Sequence, residues 1–233
     1  MAEEIEFWDF EVEKEFVEAI AGDIKFIIES ALEARGQALV AFPGGSTPKP
    51  IFEALAASDI RWKNVTIIPT DERLVAVNSE MSNVADIARV FLPLGARVLP
   101  LNSEAEDYKL AGGAANARLA DLHWPPDLVW LGMGADGHTA SIFAGPDLED
   151  AIDGPDDVLA VGVEPDPLPA EAPVNRVTMT AAAIKQARTT MLVFKGADKR
   201  AVLDEALELG EMSPYPIGRV LDKITVPVDI YCM

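Results

Sequence analysis

ALVAFPGGSTPKPIFEALAA, residues 38–57, is the stretch that decides the fold. Ala38 to Phe42 is an apolar run of strand length, and Pro48 to Ala57 is amphipathic at helical spacing. The glycines between them therefore form the turn from a buried strand into a helix. Gly44 and Gly45 let backbone amides approach a ligand closely, while Ser46 and Thr47 add hydroxyl donors at the positive end of the helix. Such a turn suits a phosphate. It equally suits a local role in which the glycines only make a tight turn and Ser46 or Thr47 only caps the helix.

Outward from this unit the same alternation continues. On the N-terminal side, Ile5 to Phe10 reads as a strand. Glu11 to Arg35 reads as a helix, with apolar residues at Val12, Phe16, Ile20, Ile24, Ile27 and Ala31 and a stop at Gly36. On the C-terminal side, NVTIIP (Asn64 to Pro69) is a β-branched run ending in the polar cluster Thr70-Asp71-Glu72-Arg73, and a helix follows from Ser82 to Leu92 with Ser82 as its cap. Arg97 to Leu101 reads as a strand, and Glu104 to Leu122 as a helix weakened by Gly112 and Gly113.

Asp127 to Leu131 is a strand that runs into a second glycine-rich turn, GMGADGHTAS. Acidic Phe143 to Asp157 reads as a solvated surface excursion, Val158 to Val163 as a strand, and Pro-rich Glu164 to Pro173 as an exposed loop. Arg176 to Thr180 precedes a short helix from Ala181 to Ala187. Thr189 to Phe194, Ala197 to Leu209 and Val226 to Tyr231 complete the series as strand, helix and strand. No repeat or linker interrupts the pattern, so residues 1–233 read as a single α/β domain. Its expected architecture is three-layer α/β/α and Rossmann-like, with a mainly parallel sheet covered by helices on both faces. Ligands in such sheets bind beyond the carboxyl ends of the strands. PGGSTP, TDER and GMGADGH each follow an expected strand, so all three should meet along that edge.

A hydrophobic fraction of 49% is ample for a core. Lys plus Arg number 19 against 39 Asp plus Glu, a formal charge of −20, which argues against nucleic acid or an anionic membrane surface as a partner. An anionic ligand would depend on a few placed cations and helix ends. The acidic N-terminus lacks a secretion signal and no apolar stretch is long enough to span a bilayer, so a soluble cytoplasmic protein is expected. One cysteine, Cys232, and two histidines, His123 and His138, give no basis for a disulfide framework or a metal cluster, and none is expected.

His138 is the natural general base, because an imidazole can accept a proton at neutral pH. Asp136, two residues earlier in the turn, could orient or polarise it. The competing reading makes Asp136 a helix cap and His138 an idle residue of the first helical turn. His123, beside Trp124 and Pro125, reads as structural or exposed. Gly132, Gly134 and Gly137 also spell GxGxxG. A dinucleotide site is discounted because this turn comes late, no long helix can follow it past Ala144-Gly145-Pro146, and Asp136 would repel a pyrophosphate. Arg73 could pair on the surface with Asp71 or Glu72. Arg176 and Lys199 sit at a strand-to-helix junction or a helix start, within reach of the same edge.

Together these residues resemble the 6-phosphogluconolactonases and, more distantly, the glucosamine-6-phosphate deaminases and isomerases of the same sugar-phosphate-isomerase type of fold. The resemblance runs from about Val40 to Leu203 through PGGSTP, TDERLV, Ser82-Asn83, LGMGADGHTASIF, NRVTMT and KGADKR. It implies hydrolysis of a phosphorylated sugar lactone without metal or organic cofactor, in the oxidative pentose phosphate pathway. It implies substrate phosphate near Gly44, Gly45, Ser46 and Thr47 with Arg176 and Lys199 as counter-charges. His138 becomes the base that activates water, with Asp136 beside it, Arg73 in the pocket and Asp71 touching substrate. Ala144 in FAGP, and the ending VPVDIYCM, depart from the family pattern, so Cys232 receives no role. Two alternatives stand beside this reading. One is an amino-sugar phosphate deaminase or isomerase, disfavoured by Ser141 where that branch carries Asn; the other is a non-catalytic sugar-phosphate-binding module. Monomer and homodimer are equally compatible with the sequence.

Overall fold

The computed structural model describes residues 5–101 and 107–233. In chain order the elements are β1 (Ile5–Asp9), α1 (Glu13–Arg35), β2 (Ala38–Phe42), α2 (Pro48–Ala56), β3 (Val65–Pro69), β4 (Asp71–Arg73) and α3 (Asn83–Phe91). Then come β5 (Arg97–Val98), α4 (Tyr108–Ala120), β6 (Leu128–Leu131), α5 (Leu148–Ile152), β7 (Ala160–Val163) and β8 (Arg176–Met179). The chain ends with α6 (Ala181–Lys185), β9 (Thr190–Phe194), α7 (Ala197–Leu209), α8 (Pro216–Lys223) and β10 (Val228–Cys232).

Seven strands form one sheet in the order β1-β10-β9-β6-β2-β3-β5, and every neighbouring pair is parallel. The expected parallel sheet with helices on both faces is the observed architecture. Strand β2 is buried at all five positions because both faces are covered, and its side chains alternate between two cores. Ala38, Val40 and Phe42 pack with α1, α2 and α3, whereas Leu39 and Ala41 pack with α4, α6, α7 and α8. From β2 the chain moves outward through β3 to β5, and from β6 it moves the other way through β9 to β10. The topological switch point therefore lies between β2 and β6, the two strands that end in the glycine turns.

A second, three-stranded antiparallel sheet, β4-β8-β7, stands at the carboxyl end of the first. This corrects the placement of two expected features. TDER is not a loop after β3, because Asp71–Arg73 turn into β4, and the amide of Thr70 bonds to the carbonyl of Phe42 at the corner (2.9 Å). Arg176 opens β8 instead of lying at a strand-to-helix junction, and it faces Arg73 across the two strands.

The segment Phe143 to Asp157 is likewise more than a solvated excursion. It contains α5, whose Ala151 and Ile152 are buried, and Asp147 is buried as acceptor for Lys109 Nζ (2.6 Å) and the amide of Glu164 (2.8 Å). Gly112, expected to weaken α4, is required there: a Cβ would lie 1.9 Å from the backbone nitrogen of Gly162, so this helix rests directly on β7. Residues 104–106 of the helix expected from Glu104 lie outside the described residues. Helix α8 was hidden in the sequence by Pro214, Pro216 and Gly218. Pro216 occupies the first turn, where a missing N–H costs nothing, and a side chain at 218 would collide with the carbonyl of Ala206. Among the described residues no helix is long and apolar enough to cross a membrane.

Candidate active site

The turn after β2 leaves its polar groups unspent. Gly45 adopts φ 99°, which favours glycine, and swings the chain into α2. Thr47 takes the N-cap position with φ −60° and ψ −40° and makes no side-chain cap bond. The amides of Gly44, Gly45, Ser46 and Thr47 have no acceptor among the described residues. Four N–H groups and two hydroxyls thus surround the positive end of a nine-residue helix, without the capping duty that would have explained them locally.

The turn after β6 does the opposite. It opens no helix; the amide of Gly134 bonds to the carbonyl of His138 (2.9 Å), and that of Gly137 to the carbonyl of Gly134 (3.1 Å). This closed turn presents His138 Nδ1 to Asp136 Oδ1 at 2.5 Å, while the ring lies 4.4 Å, centroid to centroid, from Phe143. The hydrogen bond with His138 holds the Asp136 carboxyl below its ordinary range, so it is ionised at neutral pH. A neutral imidazole that donates Nδ1–H to this carboxylate leaves its Nε2 lone pair free. Gly134 is obligatory, since a Cβ there would lie 2.2 Å from His138 Nδ1.

The third wall comes from β4, β8 and α3. Asp71 and Arg73 share one face of β4, whereas Glu72 points the other way and is fully buried. Its carboxylate accepts the amides of Arg73 (2.8 Å), Asn83 (2.8 Å) and Val84 (2.7 Å) and the hydroxyl of Ser82 (3.0 Å). Burial raises the Glu72 pKa, and the three backbone bonds oppose that rise. Ser82 caps α3 as expected, through the amide of Ala85 (3.2 Å). Asp71 Oδ2 accepts Ser141 Oγ at 2.5 Å, so the loop after His138 is bolted to the second sheet, and Ser141 N bonds Thr178 Oγ1 at 3.1 Å.

These walls enclose a cavity of about 1180 Å³, ample for a small-molecule ligand. Gly44, Gly45, Ser46, Thr47, Asp71, Arg73, Asp136, His138, Arg176 and Lys199 all line it, so every expected site residue is brought to one place. His123 is exposed and lies elsewhere.

Three of these residues are cations. Arg176, only 2% exposed, donates to the carbonyls of Val174 and Ala172, and Lys199 Nζ donates to the carbonyl of Met133 at 2.6 Å. Arg73 donates to Asn83 Oδ1 and to the carbonyl of Met81. Among the described residues none of the three has a carboxylate within 4.0 Å, although the chain carries 39 acids. Burial lowers the pKa of Arg176, and the nearby charge of Arg73 lowers it further; burial also lowers that of Lys199, against the pull of Asp136. Like charges opposed across a strand pair are unfavourable unless an anion joins them.

Some contributors were not legible as such. Asn83 was visible only as half of a dipeptide, although its side chain meets Arg73, Asp71 and Gly44. Asp166 to Glu171, read as an exposed loop, forms a rim of the cavity, and Phe143 flanks the imidazole. Helix capping by Ser82 was the one signal that could have drawn attention to Asn83. Among the described residues no group of three His, Cys, Asp or Glu is placed to hold a metal ion.

Residues 11–227 match the family described as glucosamine-6-phosphate isomerases/6-phosphogluconolactonase. The chain is 36% identical over 228 residues to a 6-phosphogluconolactonase of Rhizobium meliloti, covering 95% of this chain and 96% of that one. It is 37% identical over 217 residues to the 6-phosphogluconolactonase of Mesorhizobium japonicum, covering 91% and 89%. Among solved structures, a 6-phosphogluconolactonase from Shewanella baltica superimposes with a TM-score of 0.90 at 31% identity, covering 100% of this chain and 99% of the other.

Proposed function

The chain belongs to the glucosamine-6-phosphate isomerase/6-phosphogluconolactonase family, and from that premise we propose that it hydrolyses 6-phospho-D-glucono-1,5-lactone to 6-phospho-D-gluconate, with His138 as the general base. The observation that carries the reading is the pocket itself. Three cations that have no carboxylate partner among the described residues line the same cavity as a carboxylate-oriented imidazole, in a molecule of net charge −20. A dianionic phosphate at one end and a neutral ester at the other match those two halves.

In this reading the phosphate lies against the amides of Gly44 to Thr47 and the hydroxyls of Ser46 and Thr47, with Arg176 and Lys199 as counter-charges. Nε2 of His138 takes a proton from water as its oxygen attacks the lactone carbonyl carbon. The ionised Asp136 stabilises the imidazolium that results, and Arg73 or a backbone amide holds the tetrahedral oxyanion. Collapse of that intermediate breaks the bond to the ring oxygen, and the imidazolium returns its proton to the departing alkoxide. A general base supplies roughly 10²- to 10⁴-fold and an oxyanion donor roughly 10²- to 10³-fold, which suffices for an activated ester.

Asp71, the residue that a deaminase or isomerase would need as proton carrier, is occupied by Ser141 and Asn83, which favours the lactonase. The reaction is the second step of the oxidative pentose phosphate pathway, and we assign the protein to the cytoplasm, as one catalytic domain, on that basis. Freshly made lactone incubated with the protein should release acid well above its spontaneous rate, and glucosamine 6-phosphate should release no ammonia. Ammonia release without acid formation would select the deaminase, and binding without either would select the non-catalytic sugar-phosphate-binding module.

A further inference from the structure

Arg73 and Asp71 stand two residues apart on the same face of β4, where a half-buried guanidinium and a buried carboxylate would ordinarily close on each other. They do not. The side chain of Asn83, itself 3% exposed, lies between them. Its Oδ1 accepts from Arg73 Nη1, and its Nδ2 donates to the Asp71 carbonyl (2.8 Å) and to Asp71 Oδ1 (3.3 Å). A primary amide has an acceptor for the cation at one atom and a donor for the anion at the next, and it carries no charge of its own. Arg73 Nε is buried without a partner among the described residues, so the guanidinium is not saturated by protein groups.

Two features hold the amide in that slot. The amide nitrogen of residue 83 is bound to the Glu72 carboxylate, which also ties down Arg73 N, so the first turn of α3 is fixed to β4 from below. From above, Gly44 closes over it: a Cβ at that glycine would fall 1.8 Å from Asn83 Oδ1 and 2.2 Å from its Cγ. The absence of a side chain at residue 44 is therefore set by Asn83 as well as by any ligand.

We propose that Asn83 is a positioning residue that keeps Arg73 and Asp71 from neutralising each other, so that the guanidinium reaches substrate with its charge unspent. This rests on the lactonase reading for its kinetic consequence but not for its structural one. The experiment is a crystal structure and steady-state kinetics of Asn83→Ala, with Asn83→Asp as the variant that keeps the side-chain volume. In Asn83→Ala the Arg73 and Asp71 side chains should close to ion-pair distance. In both variants kcat should fall about tenfold to 10²-fold with little change in KM, because the group affected serves the oxyanion and not the phosphate.

Gly44→Ala should expel the amide and cause a similar loss, whereas Gly44→Ala combined with Asn83→Ala should be no worse than Asn83→Ala alone, the methyl group filling the vacated space. An Arg73–Asp71 pair that stays apart in Asn83→Ala overturns the proposal, as does wild-type kcat in Asn83→Asp. If the wild-type protein fails to turn over the lactone, the functional reading falls while the crystal structure still decides the role of Asn83.

Discussion

Two glycine-rich turns leave adjacent parallel strands at the switch point of the sheet, and they use their backbones in contrary ways. PGGSTP after β2 opens a helix and leaves the amides of Gly44 to Thr47 and its hydroxyls without partners among the described residues. GMGADGH after β6 opens no helix and spends two of its amides on its own carbonyls, Gly134 to His138 and Gly137 to Gly134, to hold one side-chain pair at 2.5 Å. The first turn offers backbone to a ligand; the second uses backbone to aim a side chain. Glycine is needed in both, yet the nearest obstacle to a Cβ is a side chain of the same protein each time, Asn83 over Gly44 and His138 over Gly134. Glycine at these two positions therefore reports that something comes close and says nothing of what it is, whereas Gly45 reports only the positive φ.

If this division holds, variants in the two turns should separate cleanly in kcat and KM. His138→Ala should lower kcat by about 10²- to 10⁴-fold with KM nearly unchanged, measured as acid release above the spontaneous rate. A large rise in KM with intact kcat would merge the two turns into one binding surface. Lys199→Ala, on the phosphate side, should raise KM by about ten- to a hundredfold and leave kcat intact, the value of a charge-assisted hydrogen bond.

Thr47→Ala sharpens the contrast further. Loss of a helix cap ordinarily costs about 0.5–2 kcal/mol. Because Thr47 makes no cap bond, denaturant unfolding should show a change below about 0.5 kcal/mol, while KM rises about tenfold through loss of one hydroxyl donor to the phosphate.

The smallest effect concerns pH. The Asp136 carboxyl has a lowered pKa in the folded protein, so its contribution to stability is complete above the unfolded value of about 3.9 and disappears as pH falls through the folded one. The difference in unfolding midpoint between wild type and Asp136→Asn should therefore narrow below about pH 4. With 62% of the Asp136 side chain exposed, the whole effect is modest.

The parallel sheet was legible because five-residue apolar runs such as Ala38–Phe42 and helices of period 3.6 such as Glu13–Arg35 are local patterns. The second sheet was not. One of its strands was expected as Val158 to Val163, but the other two are three and four residues long, polar in part, and paired with each other across about a hundred residues, so neither Asp71 to Arg73 nor Arg176 to Met179 announced a sheet. Helix α8 was masked by prolines and a glycine that act as breakers only when their neighbours are ignored. Most of the residues that line the cavity were legible because chemistry-bearing types sit just beyond strands, a rule of sequence. Asn83 escaped it, since it opens a helix instead, and Glu72 was legible only as a surface partner of Arg73, its inward aim being set by the strand pairing.

What the sequence by itself determined was the layered α/β architecture, the two turns at the strand ends, and the residues able to bind an anion or move a proton. Side-chain type and periodicity carry that information along the chain. Tertiary structure alone decided that Arg73 faces Arg176, that Ser141 reaches Asp71, and that Asn83 stands between a guanidinium and a carboxylate. Those contacts join segments distant in sequence, and their register is set only when the small sheet packs onto the end of the large one.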